Sequence, residues 1–181
     1  MSKLFVISGS SGVGKGTLLK TFMSKHPDYK LSVSCTTRKP REGEVDGINY
    51  FFLTEEQFNK YIENDEFLEH AEFSGNHYGT QKSYVQKKLA EGKNLILEID
   101  TQGALQVKKI MPDAVMIFIM PPSMEELEAR LRGRHTETED AIQKRLASIK
   151  EEIERSEFFD YKVVNDEVER AVQELENIMC K

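Results

Sequence analysis

The stretch GSSGVGKGT at residues 9–17 combines four glycines with one lysine. Glycines let successive backbone N–H groups converge on phosphate oxygens, and the first turn of a following helix adds partial positive charge. Lys15 would reach the β- and γ-phosphates of a nucleotide. A plain glycine-rich turn is the alternative, but a strand-like run precedes the loop and an amphipathic helix pattern follows it. We therefore predict a nucleotide phosphate site formed by Gly9, Ser10, Ser11, Gly12, Val13, Gly14, Lys15, Gly16 and Thr17.

Gly16 stands where the usual pattern has a hydroxyl that binds Mg²⁺, and the next hydroxyl is on Thr17. A hard cation can instead be held by nucleotide phosphates, water and nearby carboxylates. Asp100, with Glu98 behind it, follows an apolar run whose carboxyl end should face the ligand crevice. We expect Thr17 and Asp100 to be the metal candidates. A helix cap is an alternative role for Asp100 and does not exclude the metal role.

Arginines form two further groups along the chain. Arg38 and Arg41 lie three residues apart in TTRKPR, where two guanidinium groups can grip one phosphate. Arg130, Arg132 and Arg134 fall within five residues, and helical geometry places Arg130 and Arg134 on one face. Salt bridges to the neighbouring acidic stretch ETED are the alternative for this second group.

The elements that must position these residues alternate between strand and helix patterns. Strands are predicted at 4–8, 94–99, 114–120 and 161–164, and their continuous apolar character indicates a parallel sheet covered on both faces. A helix begins at Lys15, with Leu18, Leu19, Phe22 and Met23 on its buried side. Helix caps are predicted at Thr54, Ser83 and Ser123, each followed three residues later by Gln or Glu.

Residues 31–81 read as a small β-rich insertion with its own site. Strands are predicted at 30–34, 49–53 and 66–73, with one short helix between the last two. Residues 130–140 are almost wholly polar, and Gly133 interrupts the helix that begins at Met124, a pattern typical of a mobile flap.

The 181 residues, 39% of them hydrophobic, can bury one sizeable core. The formal net charge of −6 argues against nucleic acid and anionic membranes as partners. The N-terminal apolar run LFVI is too short for a signal or spanning segment. Cys35 and Cys180 lie at opposite ends of the chain without metal-site spacing, which fits a reducing compartment. We expect a soluble, unprocessed cytoplasmic protein; the sequence leaves its oligomeric state open.

Six segments together resemble the signatures of guanylate kinases, in that family's order and spacing. They are SGSSGVGKGT, SVSCTTRKPREGEVDGINYFF, FLEHAEFSGNHYGT, ILEIDTQG, RLRGRHTETEDAIQKRL and VVND. Ser10 departs from the family, which often has proline there. The resemblance implies an α/β P-loop nucleoside monophosphate kinase fold, with a parallel five-stranded sheet flanked by helices. Its parts would be a core (1–30, 82–125 and 145–181), a GMP-binding insertion (31–81) and a helical lid (126–144).

The resemblance also implies the reaction, transfer of the ATP γ-phosphate to GMP with Mg²⁺, giving GDP and ADP in purine nucleotide metabolism. Arg38, Arg41, Tyr50 and Tyr78 would hold the GMP phosphate. Glu69 would accept from guanine N1–H and the amine, Ser34 and Thr80 would meet O6, and Glu98 and Asp100 would complete the substrate site. The transferred phosphoryl group would be neutralised by Lys15, Arg38, Arg130, Arg134 and Arg145, while Asn165 would contact adenine or cap a turn.

Two other functions remain as alternatives at this level. A non-catalytic guanylate-kinase-like module would bind phosphorylated partners through the GMP site, but such modules usually lose the glycine loop. A kinase for sugar phosphates would have no use for a guanine pocket. For the enzyme, we expect residues 31–81 and 130–140 to move inward over bound nucleotides and exclude water.

Overall fold

A computed structural model describes residues 2–10, 12–73, 75–133 and 138–180, apart from the side chains of residues 130 and 131. Its larger sheet has five parallel strands in the order β2-β7-β1-β8-β9. Their bounds are β1 Leu4–Gly9, β2 Tyr29–Leu31, β7 Asn94–Glu98, β8 Val115–Met120 and β9 Tyr161–Val164. The predicted fold class and the four predicted core strands are confirmed, with ends that differ by at most one residue.

Successive side chains of β1 point to opposite faces of this sheet, and they are apolar on both faces. Helices therefore cover both faces. Phe5 and Ile7 pack in one core cluster with α1 (Lys15–Lys25) and α7 (Val168–Met179). Leu4 and Val6 pack in the other with α3 (Lys82–Ala90) and α4 (Thr101–Ile110). The predicted stripe on α1 is confirmed, since Leu18, Leu19 and Phe22 are buried and Met23 packs against the same cluster.

The fifth strand corrects the prediction of an insertion strand at 30–34. Residues Tyr29–Leu31 instead form β2, which pairs in parallel with β7 at the edge of the large sheet. Tyr29 decides this placement, because its ring is buried beside Phe22 and its hydroxyl donates to the Met179 carbonyl at 2.6 Å. The strand is therefore held by the first and last helices of the core.

The smaller sheet has the order β4-β3-β6-β5, with β3 Cys35–Thr36, β4 Phe51–Phe52, β5 Phe67–Phe73 and β6 Asn76–Gln81. Helix α2 (Glu55–Glu63) packs Phe58 against Phe67 of this sheet. The predicted strand at 49–53 is shorter than expected, and β6 was not predicted at all. The open edge of β5 meets α4: Gln106 accepts from His70 N–H at 3.1 Å and donates to the His70 carbonyl at 3.0 Å.

Two of the three predicted helix caps are confirmed. Thr54 and Gln57 form a reciprocal capping box, and the Ser123 hydroxyl accepts from Glu126 N–H at the start of α5 (Met124–Arg132). The cap predicted at Ser83 is wrong, because β6 runs directly into α3 at Lys82, whose N–H already donates to the Glu66 carbonyl.

The remaining helices lie in the second half of the chain. Gly133 directly follows α5, as predicted. Helix α6 (Glu139–Arg155) starts at the cap Thr138 and is followed by a 3₁₀ turn at Ser156–Phe158. In the described part of the chain, no helix combines the length and apolar character needed to cross a membrane.

Candidate active site

The glycine loop joins the carboxyl end of β1 to the first turn of α1. Gly12 and Gly14 adopt φ angles of 83° and 87°, a region that side-chain-bearing residues rarely enter. Val13 N–H donates to the Ser10 carbonyl at 3.2 Å, which closes the turn. The loop and Glu98 line a cavity of about 360 Å³ at the helix N-terminus, where oxyanions bind favourably.

Among the predicted loop residues that the structure describes, all but Gly9 line this cavity. Gly9 lies beneath it, where an added Cβ would come within 2.8 Å of the Ile119 carbonyl. Ser11 lies outside the described residues. Thr17, in the first turn of α1, is exposed toward the cavity.

Asn165, directly after β9, fixes the shape of the loop from behind. Its side chain is buried, and Nδ2 donates to the Val13 carbonyl at 2.7 Å. The same amide nitrogen would lie 2.8 Å from a Cβ at position 14. The amide predicted to meet adenine or to cap a turn therefore has one of its two N–H groups bonded to the loop carbonyl.

Lys15 points back along the loop toward β1 and β7. Its Nζ donates to the Gly9 carbonyl at 3.3 Å and lies 3.9 Å from a Glu98 carboxylate oxygen. Glu98, at the last position of β7, therefore faces the only lysine of the loop. This places one cation and one carboxylate at the mouth of the phosphate cavity.

A second cavity of about 260 Å³ lies between the two sheets and shares Glu98 with the first. Six predicted substrate residues line it: Ser34, Tyr50, Glu69, Tyr78, Glu98 and Asp100. Sequence reasoning missed its apolar wall, Ala71, Phe73 and Ile99. Phe73 is 72% exposed at the rim, a position that no periodicity in the sequence marks.

Glu69 is the buried carboxyl of this second cavity, with 5% of its surface exposed. Thr80 donates a hydrogen bond of 2.6 Å to its Oε1, and Oε2 would lie 2.8 Å from a Cβ at Gly103. Burial raises the pKa of Glu69 to about 7; the Thr80 hydrogen bond opposes this rise and the charge of Asp100 adds to it.

Thr80 does not line the cavity, and its hydroxyl hydrogen is committed to Glu69. Its predicted contact with guanine O6 is therefore replaced in this structure by the role of orienting Glu69. Ser34 remains on the cavity wall as a hydroxyl that can face a base.

Arg38 and Arg41 do not line either of these two cavities, and Glu44 bonds the guanidinium of Arg38 and the backbone N–H of Arg41. The Arg38 guanidinium makes two hydrogen bonds to the Glu44 carboxylate, at 2.8 and 3.0 Å, and lies over the rings of Tyr50 and Phe52. Arg41 N–H donates to Glu44 at 2.8 Å. These bonds hold the pKa of Glu44 below its ordinary value. Its spacing, three residues after Arg41 in a turn, was the available signal for this missed residue.

Asp100 lines the second cavity and also caps α4, accepting from Gly103 N–H at 2.7 Å. The capping alternative is therefore confirmed.

Arg145 lies partly exposed on α6. The same helix carries the half-buried Glu152. Burial raises its pKa above the ordinary value, and the charge of Lys15 partly opposes this rise. Arg134 and the side chain of Arg130 lie outside the description.

Comparisons with known proteins agree with this geometry. The family model described as Guanylate kinase matches residues 1–181. A guanylate kinase of Clostridium perfringens is 56% identical over 176 residues, which cover 97% of this chain and 82% of the relative. One of Bacillus cereus is 54% identical, covering 97% and 86%. A crystal structure of guanylate kinase from Anaplasma phagocytophilum superposes with a TM-score of 0.73 at 35% identity, covering 98% and 84%.

Proposed function

Because the chain belongs to the guanylate kinase family, we propose that its two cavities hold the two substrates of one phosphoryl transfer. The chain is a nucleoside monophosphate kinase, a transferase that uses ATP and GMP. In the proposal, the loop cavity holds the ATP phosphates and the second cavity holds the guanine of GMP. The shared wall at Glu98 carries the proposal, since substrates bound in the two cavities would lie side by side.

The loop cavity offers backbone N–H groups, the N-terminus of α1 and Lys15 to the polyphosphate. Among the described residues, Lys15 Nζ has the Gly9 carbonyl and the carboxylates of Glu98 and Glu152 near it, and these are weaker partners than a phosphate. Asn165 supports binding indirectly, by holding the Val13 carbonyl away from the phosphates.

The second cavity offers guanine a carboxylate for its N1–H and amine, and the Ser34 hydroxyl beside it. Adenine would turn an acceptor toward Glu69, and a site built for hydrogen bonds discriminates strongly against such a mismatch. Tyr50 and Tyr78 form the part of the wall nearest Arg38, whose guanidinium lies 5.4 Å from the Tyr50 ring centroid. We place the GMP phosphate there, with Arg38 and Arg41 turning toward it.

The chemistry requires alignment and charge neutralisation. An oxygen of the GMP phosphate attacks the γ-phosphorus of ATP, the bond to the β–γ bridging oxygen breaks, and ADP leaves. Lys15 holds the transferring group, while Arg38, Arg130, Arg134 and Arg145 are proposed to neutralise its equatorial oxygens. The core, insertion and lid divisions given above are proposed as the parts that bring these groups together.

The side chains at the shared wall fit a hard cation, because Glu98, Asp100 and Thr17 all offer oxygen donors. Among the described residues, no group of three or more His, Cys, Asp or Glu side chains is arranged to hold a metal by itself. That fits an ion held chiefly by nucleotide phosphates and water. When bound, Mg²⁺ would neutralise the β- and γ-phosphates, with Thr17 and Asp100 as its proposed protein contacts.

The assignment also proposes a setting, purine nucleotide metabolism in the cytoplasm, with GMP and ATP as partners and with no nucleic acid or membrane. The binding-module alternative loses its support, because the phosphate loop is complete in its described residues and the relatives are kinases. The sugar-phosphate alternative conflicts with a buried carboxyl on the wall of the acceptor cavity.

The test is ADP formation with ATP, Mg²⁺ and separate acceptors: GMP, AMP, CMP, UMP, dTMP and ribose phosphates. We expect turnover with GMP and rates at least about a hundredfold lower with the others. The Glu69→Gln variant serves as the internal comparison, and its loss should fall on GMP selectivity while ATP binding is retained. Equal turnover of AMP and GMP by the unmodified protein would overturn the assignment of the second cavity.

A further inference from the structure

A cluster of reactive side chains lies where α1 and α7 end, apart from the two nucleotide cavities. It consists of His26, Tyr29, Glu176 and Cys180, and the fold brings Cys180 next to His26 across 154 residues. Asp28, Asn94 and Met179 complete the lining of an adjacent cavity of about 320 Å³. None of these residues has a role in the phosphoryl transfer described above.

The hydrogen bond from His26 to Glu176 fixes which ring nitrogen faces the cysteine. Nε2 lies 3.0 Å from the Glu176 carboxylate, and a carboxylate oxygen can only accept, so Nε2 carries hydrogen. In the neutral ring, Nδ1 is therefore the acceptor, and it lies 3.9 Å from the Cys180 sulfur. A carboxylate, an imidazole and a thiol in this order are the parts of an activated nucleophile.

The orientation of the ring is held by packing. Phe22 stacks on His26, with centroids 4.6 Å apart and planes inclined at 29°, and Tyr29 meets the same ring edge-on. Phe22 is fully buried in the core, so the ring that it supports has a fixed platform. The imidazole is therefore preorganised toward Cys180.

The surroundings leave the thiol accessible. Cys180 is exposed, whereas the other cysteine, Cys35, is fully buried. Burial raises the pKa of Tyr29, which keeps its hydroxyl protonated 3.8 Å from the Cys180 sulfur. Among the described residues, the other charged groups at the cluster are Lys25, 3.9 Å from Glu176, and Asp28 on the cavity wall.

We propose that Cys180 is a modification site for small-molecule disulfides, with His26 as its base and Glu176 as the group that orients His26. Nδ1 takes the thiol proton, and the thiolate attacks one sulfur of the disulfide. A new S–S bond forms to Cys180, the original S–S bond breaks, and the leaving thiolate takes the proton from His26. The products are a mixed disulfide and one free small thiol, so neither a further oxidant nor a reductant is needed.

The experiment treats the full chain with glutathione disulfide at pH 7 and follows each cysteine by mass spectrometry. At that pH only a few per cent of an unassisted thiol is ionised, so a base in contact with it has room to act. We expect Cys180 of the folded protein to react about tenfold faster than Cys180 of the same protein in concentrated urea. Cys35 should react only after unfolding.

His26→Phe keeps the ring on Phe22 and removes both nitrogens, so it should lower the folded-state rate at Cys180 by about tenfold. His77→Phe is the matched control, because His77 also stacks on a phenylalanine, Phe58 at 5.3 Å, and faces a carboxylate, Glu55 at 3.5 Å. It should leave the rate at Cys180 unchanged. Equal rates for folded and unfolded wild-type protein would overturn the proposal even if His26→Phe failed to fold.

Discussion

At the scale of single residues, the Glu69 carboxylate is a strong hydrogen-bond acceptor that is buried where its negative charge is disfavoured. Its pKa lies at about 7, above its ordinary value of 4.5, mainly because of burial. The unfolded chain therefore releases this proton at lower pH than the folded chain. It follows that Glu69 costs no stability below about pH 4.5, and that stability is lost as the pH rises from there to about 7, by about 3 kcal/mol.

This carboxyl predicts the pH dependence of acceptor binding. Only the ionised form accepts from guanine N1–H and the amine, so kcat/KM for GMP should fall about tenfold per pH unit below about 7. The measurement is kcat/KM for GMP from about pH 5.5 to about pH 8.5. A phosphate monoester also titrates near pH 6. In the Glu69→Gln variant only the titration of the GMP phosphate remains. Identical pH profiles of kcat/KM for the variant and the unmodified protein would therefore contradict the prediction.

Glu44 predicts a second effect on the acceptor alone. Its carboxylate holds the Arg38 guanidinium and Arg41 N–H in one place, so Glu44→Ala should raise KM for GMP by about tenfold and leave KM for ATP nearly unchanged. Glu42→Ala is the control, since Glu42 is an exposed carboxylate of the same turn. If the two variants had the same KM for GMP, Glu44 would have no role in positioning Arg38.

At the scale of elements, the phosphate loop is shaped as much by its neighbours as by its glycines. Gly14 has a φ of 87° and faces Asn165, whereas no atom of the described residues lies within 4 Å of a Cβ added at Gly16. The sequence shows four glycines as equivalent letters. Only the packing of the residue after β9 on the loop separates a glycine that is required from one that is not.

Two matched substitutions test this difference. Gly14→Ala combines backbone strain with a contact at 2.8 Å, so it should lower the free energy of unfolding by about 2 kcal/mol or more. Gly16→Ala lies in the first turn of α1 and should be neutral or stabilising by about 0.5 kcal/mol. Denaturant titration of both variants measures the effect; equal losses would show that the loop tolerates a side chain at neither position.

The sequence was most informative where an element follows one physical rule. The four core strands are continuous apolar runs, and Thr54 with Gln57 forms a complete capping box, so both were predicted correctly. Strand β2 was assigned to the wrong sheet because its three residues show no pattern, and Tyr29 belongs to the core through a bond to Met179 at the far end of the chain. The helix cap predicted at Ser83 is wrong because a strand, rather than a loop, leads into α3.

At the scale of the whole molecule, the fold gathers side chains that the sequence scatters. Ser34, Glu69 and Asp100 meet at one cavity, and the resemblance to guanylate kinases had assigned them to one substrate site. The roles of Thr80, Glu44 and Asn165 depend on contacts with other segments, Glu69, Arg38 and Val13 respectively, that no local pattern records. The family resemblance therefore predicted which residues line the cavity, and packing decided which other residues support them.

The arrangement of the two cavities predicts a change of shape on binding. Among the described residues their linings have Glu98 alone in common, and Arg38 is paired with Glu44 beside Tyr50, outside both linings. Small-angle scattering with GMP and a non-hydrolysable ATP analogue should show the radius of gyration fall by on the order of 1 Å. Either nucleotide alone should give a smaller change. An unchanged radius with both present would contradict closure of residues 31–81 and 130–140.

The pairing of Gln106 with His70 also affects the tendency of the protein to aggregate at high concentration. Strand β5 ends the smaller sheet, and an unpaired strand edge is a template on which a second chain can add a strand. The Gln106 amide supplies the acceptor and donor that such a chain would bring to His70. One side chain of α4 thus opposes edge-to-edge aggregation in the middle of β5.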